Sequence, residues 1–384
     1  MKYDVAVIGG GASGLYLAAL LAGSNLKVAL IESQPRVGKK LSATGNGQGN
    51  LTNVNVSEDK YFGSVCVKNI IGDYQSVLEL FPMLFEIDGE GRVYPTGKQA
   101  SSMTDALRRI IDNAPNVDVY LSTKIIEINK GYVIKSEDEK IFYSEKVVLS
   151  TGGKSQKQFG SDGNAYKLAT RFGHKISQLY PSLVQLKTNT EDIKTLKGIR
   201  VFADVTAIIN DKETVTQRGD VIFTEYGVTG NAIFSLSAYL TDKEDVALKI
   251  SFLPDVSYET LLSSIERKIS LGYERSEMLS GTLNNQLGRA IIRKSGSTPK
   301  EIARSVKDFR LKVIGSLGFD YAQVTKGGIY GAEVTDNLES KYSKGLYFTG
   351  EILDVDGLCG GYNLHWAFSS AKKVASAILN GRDL

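Results

Sequence analysis

Residues 3–32 constrain this chain more than any other stretch. Tyr3 to Ile8 (YDVAVI) is a short run rich in Val and Ile, as expected of a parallel strand buried on both faces. Gly9-Gly10-Gly11-Ala12-Ser13-Gly14 follows without a spacer. Leu15 to Leu21 then reads as helix, and a second buried strand, Lys27 to Ile31, ends at Glu32. The order is strand, G-x-G-x-x-G, helix, strand, acid. Gly9 makes the tight turn, Gly11 lets the backbone approach a pyrophosphate, and Gly14 lets the helix sit on the strand. The helix N-terminus, with Ala12 and Ser13, faces the phosphates. Glu32 follows Gly14 by 18 residues and is placed to accept hydrogen bonds from ribose hydroxyls. A dinucleotide-binding unit is the expectation.

The segments that follow favour FAD over NAD. Glycine is in excess, 39 of 384 residues, while proline is only 7. Much of that excess lies in loops such as 36–53 (RVGKKLSATGNGQGNLTN), long and polar enough to run along a flavin dinucleotide. Val117 to Asn129 reads as strand, turn, strand. Lys146 to Ser150 is a buried strand that leads into Thr151-Gly152-Gly153, a glycine turn under the cofactor. Gly345 to Phe348 is another strand, followed by Thr349-Gly350-Glu351. Gly360-Gly361-Tyr362-Asn363 opens a final helix, about 364–379, whose N-terminus can face the flavin N1–O2 edge.

Several classes are excluded. Two cysteines, Cys66 and Cys359, cannot build a disulfide framework, and two histidines leave little room for a metal centre, so no metal site is expected. No apolar run reaches 18 residues, so no membrane span is expected. The glycine cluster at 9–11 interrupts the apolar N-terminus and argues against a signal peptide; a cytoplasmic protein is expected. A second G-x-G-x-x-G and a C-x-x-C are both missing, which argues against a disulfide reductase with a fixed nicotinamide domain. NAD(P)H would instead bind transiently, as electron donor, near the isoalloxazine.

Eight stretches, in order, carry a resemblance: GGGASG (9–14), VGKKLSATGNGQGNLTN (37–53), GRVYP (91–95), TGGKS (151–155), GHKISQLYPSLVQL (173–186), FTEYGVTGNA (223–232), VTKGG (324–328) and LYFTGEILDVDGLCGGYNLHWAFSSA (346–371). On these the chain resembles the two-insert flavoprotein family that includes YhiN, BaiN and aminoacetone oxidase. The resemblance implies an α/β fold: a discontinuous Rossmann-like FAD-binding domain with an inserted β-barrel-like domain that itself carries a helical insert. The expected boundaries are 1–187 and 325–384 for the FAD-binding domain, 188–256 and 309–324 for the β-rich insert, and 257–308 for the helical insert. The residue pattern agrees. Val201 to Asn210 and Val246 to Leu253 alternate as strands, and Tyr258 to Ser270, Ser276 to Gly288 and Lys300 to Asp308 read as helices. Three places depart from the family. Its usual Gly-Gly-Gly-Arg-Cys-Asn is Gly45-Asn46-Gly47-Gln48-Gly49-Asn50 here, without the Arg and Cys. Its Tyr-Pro after TGGKS is replaced by Gln156-Lys157, and its Ser-Gly-Pro is Thr229-Gly230-Asn231.

The expected FAD contacts follow these motifs: Gly9, Gly11, Ala12, Ser13 and Gly14; Glu32 and Ser33; Lys39, Lys40, Leu41, Thr44, Gly45, Asn46, Gly47, Asn50 and Leu51; Ile125; Thr151, Gly152 and Gly153; and Gly350, Glu351, Gly361, Tyr362 and Asn363. Cys359 and Tyr362 are the candidate catalytic residues. The thiol would donate a proton or sense redox state, but a small buried residue in a tight turn is the weightier reading. Tyr362 would donate a proton to substrate or, with more weight, pack against the flavin. Asn363 reads as a cap or flavin contact, and His365 and His174 as packing residues. Glu351 and Asp354 read as organisers of the cofactor loop, and Lys154 as a residue that could approach cofactor or substrate.

The net charge is +3, but it is unevenly spread. Residues 289–312 hold 8 Lys/Arg against 2 acids. A basic helical patch suits RNA as partner, against the blander reading of a solvated helix face. Aromatic interleaving, which single-strand stacking needs, is poor there. The expected function is an FAD-dependent oxidoreductase in which NAD(P)H drives reduction of an activated C=C bond in an unidentified substrate, with a small molecule or RNA as partner. The alternatives are ribosomal RNA uridine reduction, flavin amine oxidation, and a non-enzymatic redox sensor.

Overall fold

The structure is a computed structural model and describes residues 1–381. The chain divides into two compact units: Met1–Tyr180 together with the segment from Val324 onward, and Pro181–Gln323.

The first unit is built on a seven-stranded sheet. Lys2–Ile8 lies between Val28–Ile31 and Ile141–Leu149, parallel to both, and Val117–Tyr120 extends the sheet beyond Val28–Ile31. All four residues of Val28–Ile31 are buried, which is why that strand reads as an unbroken apolar run. Ile141–Leu149 serves two neighbours. Residues 141–143 pair antiparallel with Val133–Ser136, which continues to Ile125–Asn129. Residues 147–149 pair parallel with Leu346–Phe348, a strand about 200 residues downstream in the chain. The first helix, Ala12–Leu21, is buried nearly all round, so it is apolar throughout rather than striped. It packs on the C-terminal helix Tyr362–Asn380 through an aromatic cluster: Tyr16 lies 4.8 Å from Phe368 and 6.0 Å from Phe81, centroid to centroid. Helix Ala100–Asp112 covers the loop after Glu32 with the spaced apolar side chains Met103, Leu107 and Ile111.

The second unit is a closed six-stranded antiparallel barrel. Its order is Leu186–Thr188, Gly227–Thr229, Lys212–Phe223, Arg200–Ile209, Val246–Ser251 and Phe309–Ser316, which pairs back to Leu186–Thr188. Alternate residues fill it, among them Ala203, Val205, Val221, Phe223, Leu248, Ile250, Phe309 and Leu311. The hairpin at 210–211 turns through Asn210 and Asp211, both at positive φ, the geometry that matches strand twist. The β-barrel expectation is met. The barrel begins before residue 188, because Leu186–Thr188 is one of its staves.

Helices Tyr258–Ser270, Asn285–Lys294 and Pro299–Lys307 lie between the last two barrel strands. The middle helix expected at 276–288 is corrected to Asn285–Lys294. Gly281 takes φ +67 and breaks the run, and Asn284 starts the helix by accepting the Gln286 and Leu287 N–H groups. Helix Asn231–Leu240, beginning at Gly230, was not foreseen. Among the described residues no helix is long and apolar enough to cross a membrane.

Candidate functional site

The first unit gathers its glycine-rich loops at the C-terminal ends of its parallel strands. The steric demands on the three motif glycines differ. Gly9 takes φ +102, and a Cβ there would stand 2.5 Å from the Ser150 carbonyl oxygen. A Cβ on Gly14 would collide with the Gly9 carbonyl, so helix and strand touch backbone to backbone. A Cβ on Gly11 would meet nothing within 4 Å. Gly11 is also the N-cap of the first helix and carries no side-chain cap. No side-chain cap therefore occupies the leading N–H groups of that helix.

Glu32 is 8% exposed and ties this cradle together. Its Oε2 accepts the Gly10 N–H at 2.6 Å; its Oε1 accepts the Gln34 N–H at 2.7 Å and the Ser33 hydroxyl at 3.1 Å. The sequence reading gave Glu32 only to a ribose; it also shapes the loop.

The loop after Glu32 folds into the short helix Lys39–Ser42 and a tight turn over Thr44–Gly47, where Gly45 and Asn46 are both left-handed. Leu41 and Leu51 anchor it in the core. Lys39 Nζ donates to Gln34 at 2.8 Å. Lys40 Nζ reaches Glu351 Oε2 at 3.0 Å, both side chains being mostly buried. The other Glu351 oxygen accepts the Thr325 N–H at 2.8 Å. The Thr325 hydroxyl in turn holds the Lys154 and Ser155 N–H groups at 2.8 and 3.0 Å. Three segments far apart in sequence therefore meet at Glu351, beside Gly153, whose Cβ position lies 2.7 Å from Glu351 Oε1.

At the C-terminal helix, Gly361 is the N-cap with φ +101, and a Cβ there would stand 2.5 Å from the Thr52 carbonyl oxygen. With its amide oxygen facing Gly361, Asn50 accepts that N–H at 3.0 Å and donates to the Thr52 carbonyl at 3.1 Å. Asn363 does not cap the helix: its amide clamps Gly357, accepting its N–H and donating to its carbonyl at 2.8 Å each. His365 is fully buried. Its Nε2 faces the Ile71 carbonyl at 2.7 Å and so carries the proton, while Nδ1 accepts from the Thr52 hydroxyl at 2.8 Å. Burial pushes its pKa down to about 4, so the ring is neutral. His174 is likewise internal, held by Ser340 at 2.7 Å and Glu333 at 3.3 Å.

Tyr362 is buried and meets the Tyr61 ring edge-on, 6.1 Å between centroids. Burial raises its pKa, so the phenol keeps its proton. Burial also raises the Cys359 thiol, against the neighbouring Arg92, so it is not a thiolate at neutral pH. Asp354 accepts the Ser64 N–H and hydroxyl, at 3.2 and 2.7 Å. Cys66 is exposed and free. Ile125 is half-buried at the start of its strand.

A dinucleotide is tested against these residues by what they leave open. The Thr151 hydroxyl, where the Ile141–Leu149 strand ends, is buried with no hydrogen-bond partner among the described residues. Gly11 borders empty space where a close approach is expected. Both features fit a bound polar group. Sequence reasoning gave no role to Thr325, Thr52 or Ser64, whose partners lie far away along the chain; Thr325 and Thr52 fall inside the 324–328 and 37–53 resemblance stretches, and Ser64 inside none.

Residues 3–377 match the HI0933-like protein Rossmann domain family. The chain is 31% identical over 400 residues to the 3-dehydro-bile acid delta(4,6)-reductase of Clostridium scindens, covering 95% of this chain and 96% of that protein. It is 27% identical to the ribosomal RNA dihydrouridine synthase of Escherichia coli K12, covering 98% of each. The crystal structure of a 3-ketosteroid-delta4-(5alpha)-dehydrogenase from Rhodococcus jostii shares the fold, with a TM-score of 0.51 at 13% identity, covering 98% of this chain and 96% of that one. With the Rossmann cradle in place and the match running nearly end to end, the chain belongs to the HI0933-like Rossmann-domain family.

Proposed function

We propose that this FAD-dependent oxidoreductase reduces an activated C=C bond of a small organic substrate, with NAD(P)H as transient donor. The reading is carried by the near full-length similarity to a delta(4,6)-reductase, joined to a glycine loop whose Gly11 Cβ position is unobstructed. Hydride transfer is the chemistry that FAD supplies when bound. The chain's own residues bind, orient and hold protons. The amides of residues 12–14 would hold the pyrophosphate, and Glu32, already fixed by Gly10 and Gln34, would take the adenosine ribose. The Lys40–Glu351–Thr325 network would hold the loop 151–155 against the cofactor. The N-terminus of the Tyr362–Asn380 helix would favour negative charge on the flavin. Tyr362 retains its proton and would supply it to the substrate carbon that does not receive hydride.

The test is anaerobic mixing with NADPH or NADH, followed by addition of a 3-oxo-Δ4 steroid. Flavin bleaching and then substrate-dependent reoxidation supports the reading. Absence of bleaching by either nucleotide sinks it, and peroxide formed from a primary amine would replace it with an oxidase.

RNA as substrate has a specific observation behind it: exposed Arg289, Lys300, Arg304 and Lys312 on the helical insert and its flank. Part of the basic stretch is consumed internally, however. Lys294 pairs with Asp192 at 2.5 Å, Arg310 with Asp308 at 2.8 Å, and Lys307 caps the Leu253 carbonyl. Ribosomal RNA dihydrouridine in a gene knockout decides this reading; an unchanged level removes it.

A further inference from the structure

We propose that the Tyr166 hydroxyl is a cofactor-binding group that donates a hydrogen bond to the bound dinucleotide. The proposal rests on the FAD reading above and extends it to a residue that no motif or spacing singled out.

Tyr166 opens the short helix Tyr166–Thr170, at the end of the loop that leaves Thr151. The residue is 6% exposed, yet its hydroxyl has no hydrogen-bond partner among the described residues. Folded proteins leave few buried polar atoms unpaired, so each one needs an account. The proton on this phenol is secure: burial first, then the nearby charges of Glu351 and Asp354, push its pKa far above the ordinary value. Tyr166 is thus an obligate donor in search of an acceptor. The two neighbouring carboxylates do not serve. Glu351 is engaged by the Thr325 N–H at 2.8 Å and Lys40 at 3.0 Å. Asp354 is engaged by Ser64 at 2.7 and 3.2 Å.

The position is informative. Glu351 borders Gly153, and two residues before it the Thr151 hydroxyl is the other buried orphan of this segment. Thr151 and Tyr166 bound one segment of the chain, and a ligand rich in acceptors would satisfy both hydroxyls. Phosphate, ribose and ribityl oxygens of a dinucleotide supply them. A core tyrosine kept only for its ring would do as well as phenylalanine.

The test is Tyr166→Phe. Flavin-stripped protein is titrated with FAD by fluorescence quenching, and flavin release from the holoprotein is timed after dilution. The Kd should rise about 3- to 10-fold, the size of one neutral hydrogen bond, with faster release. The melting temperature of the stripped protein should stay level or rise, since no bond is broken and an unpaired hydroxyl is removed. A variant that binds and releases FAD like wild type overturns the proposal. So does one that melts lower with unchanged affinity. If wild type itself binds no FAD, the underlying reading falls, and the proposal with it.

Discussion

Gly11→Ala separates a cradle built for a ligand from a glycine turn built for itself. The added methyl meets no protein atom within 4 Å, and Gly11 sits at φ −74, ψ −163, which any residue adopts. In the unliganded protein two small effects oppose each other. Restricting the unfolded chain stabilises by about 0.4–1 kcal/mol, and Ala caps a helix less well than Gly by a similar amount. The melting temperature should therefore move by no more than about 2–4 °C. The cofactor feels the methyl differently. If the pyrophosphate is pushed back enough to lose one charge-assisted N–H bond, at about 1.5–3 kcal/mol, the Kd for FAD rises roughly 10- to 150-fold. Gly14→Ala gives the opposite pattern. Its Cβ collides with the Gly9 carbonyl and lies 3.0 Å from Ser150 Cβ, so the protein itself should lose about 1–3 kcal/mol through overpacking. Thermal melts without flavin and FAD titrations on both variants are the assay. Gly11→Ala with normal FAD affinity, or with a melting temperature more than about 5 °C low, would refute the reasoning.

Other perturbations follow from the same structure. His365 has a folded pKa of about 4 against 6.5 unfolded, so its contribution is whole above pH 6.5 and is lost as pH falls toward 4; the window is worth up to about 3 kcal/mol. Urea melts at pH 7 and 4.5 should show that loss in wild type and a smaller one in His365→Gln. Lys40→Met leaves the mostly buried Glu351 carboxylate without its cation and should cost about 1–2 kcal/mol; in Lys40→Met/Glu351→Gln part of this should return, and strict additivity in a double-mutant cycle would count against the pairing. Burial holds the Cys359 thiol protonated, so it should react slowly with iodoacetamide at pH 7; a thiol alkylated rapidly at pH 7 would contradict that.

The legible parts of the fold are those set by local pattern. Strand Lys2–Ile8, its helix, strand Val28–Ile31 and Glu32 lie where the hydrophobic run and the glycine spacing put them. Barrel strands Arg200–Ile209 and Val246–Ser251 show their alternation because one face is buried. Helix Asn285–Lys294 begins later than the residue pattern over 276–288 suggests because the Asn284 side chain caps it, a bond that no periodicity displays. The contacts around Glu351 were illegible for a different reason. Thr325 and Lys40 approach it from 26 and 311 residues away, and no periodicity encodes such a meeting. Orphaned hydroxyls such as Tyr166 emerge only from an inventory of bonds in the folded chain.

The seven-stranded sheet carries a consequence for biosynthesis. One of its strands, Leu346–Phe348, and the helix that packs on Ala12–Leu21 are translated only after all of 181–323. As the nascent chain emerges, the glycine loop at 9–14 exists long before Gly350, which a Ser13 contact at 2.7 Å from its Cβ position marks as a neighbour. The barrel, contiguous in sequence, can condense first, while the nucleotide unit waits with one flank of Ile141–Leu149 uncovered. A cofactor held by both the 9–14 loop and the Gly350–Tyr362 region would load only once the chain is complete, and until then the uncovered edge of Ile141–Leu149 is open to strand pairing.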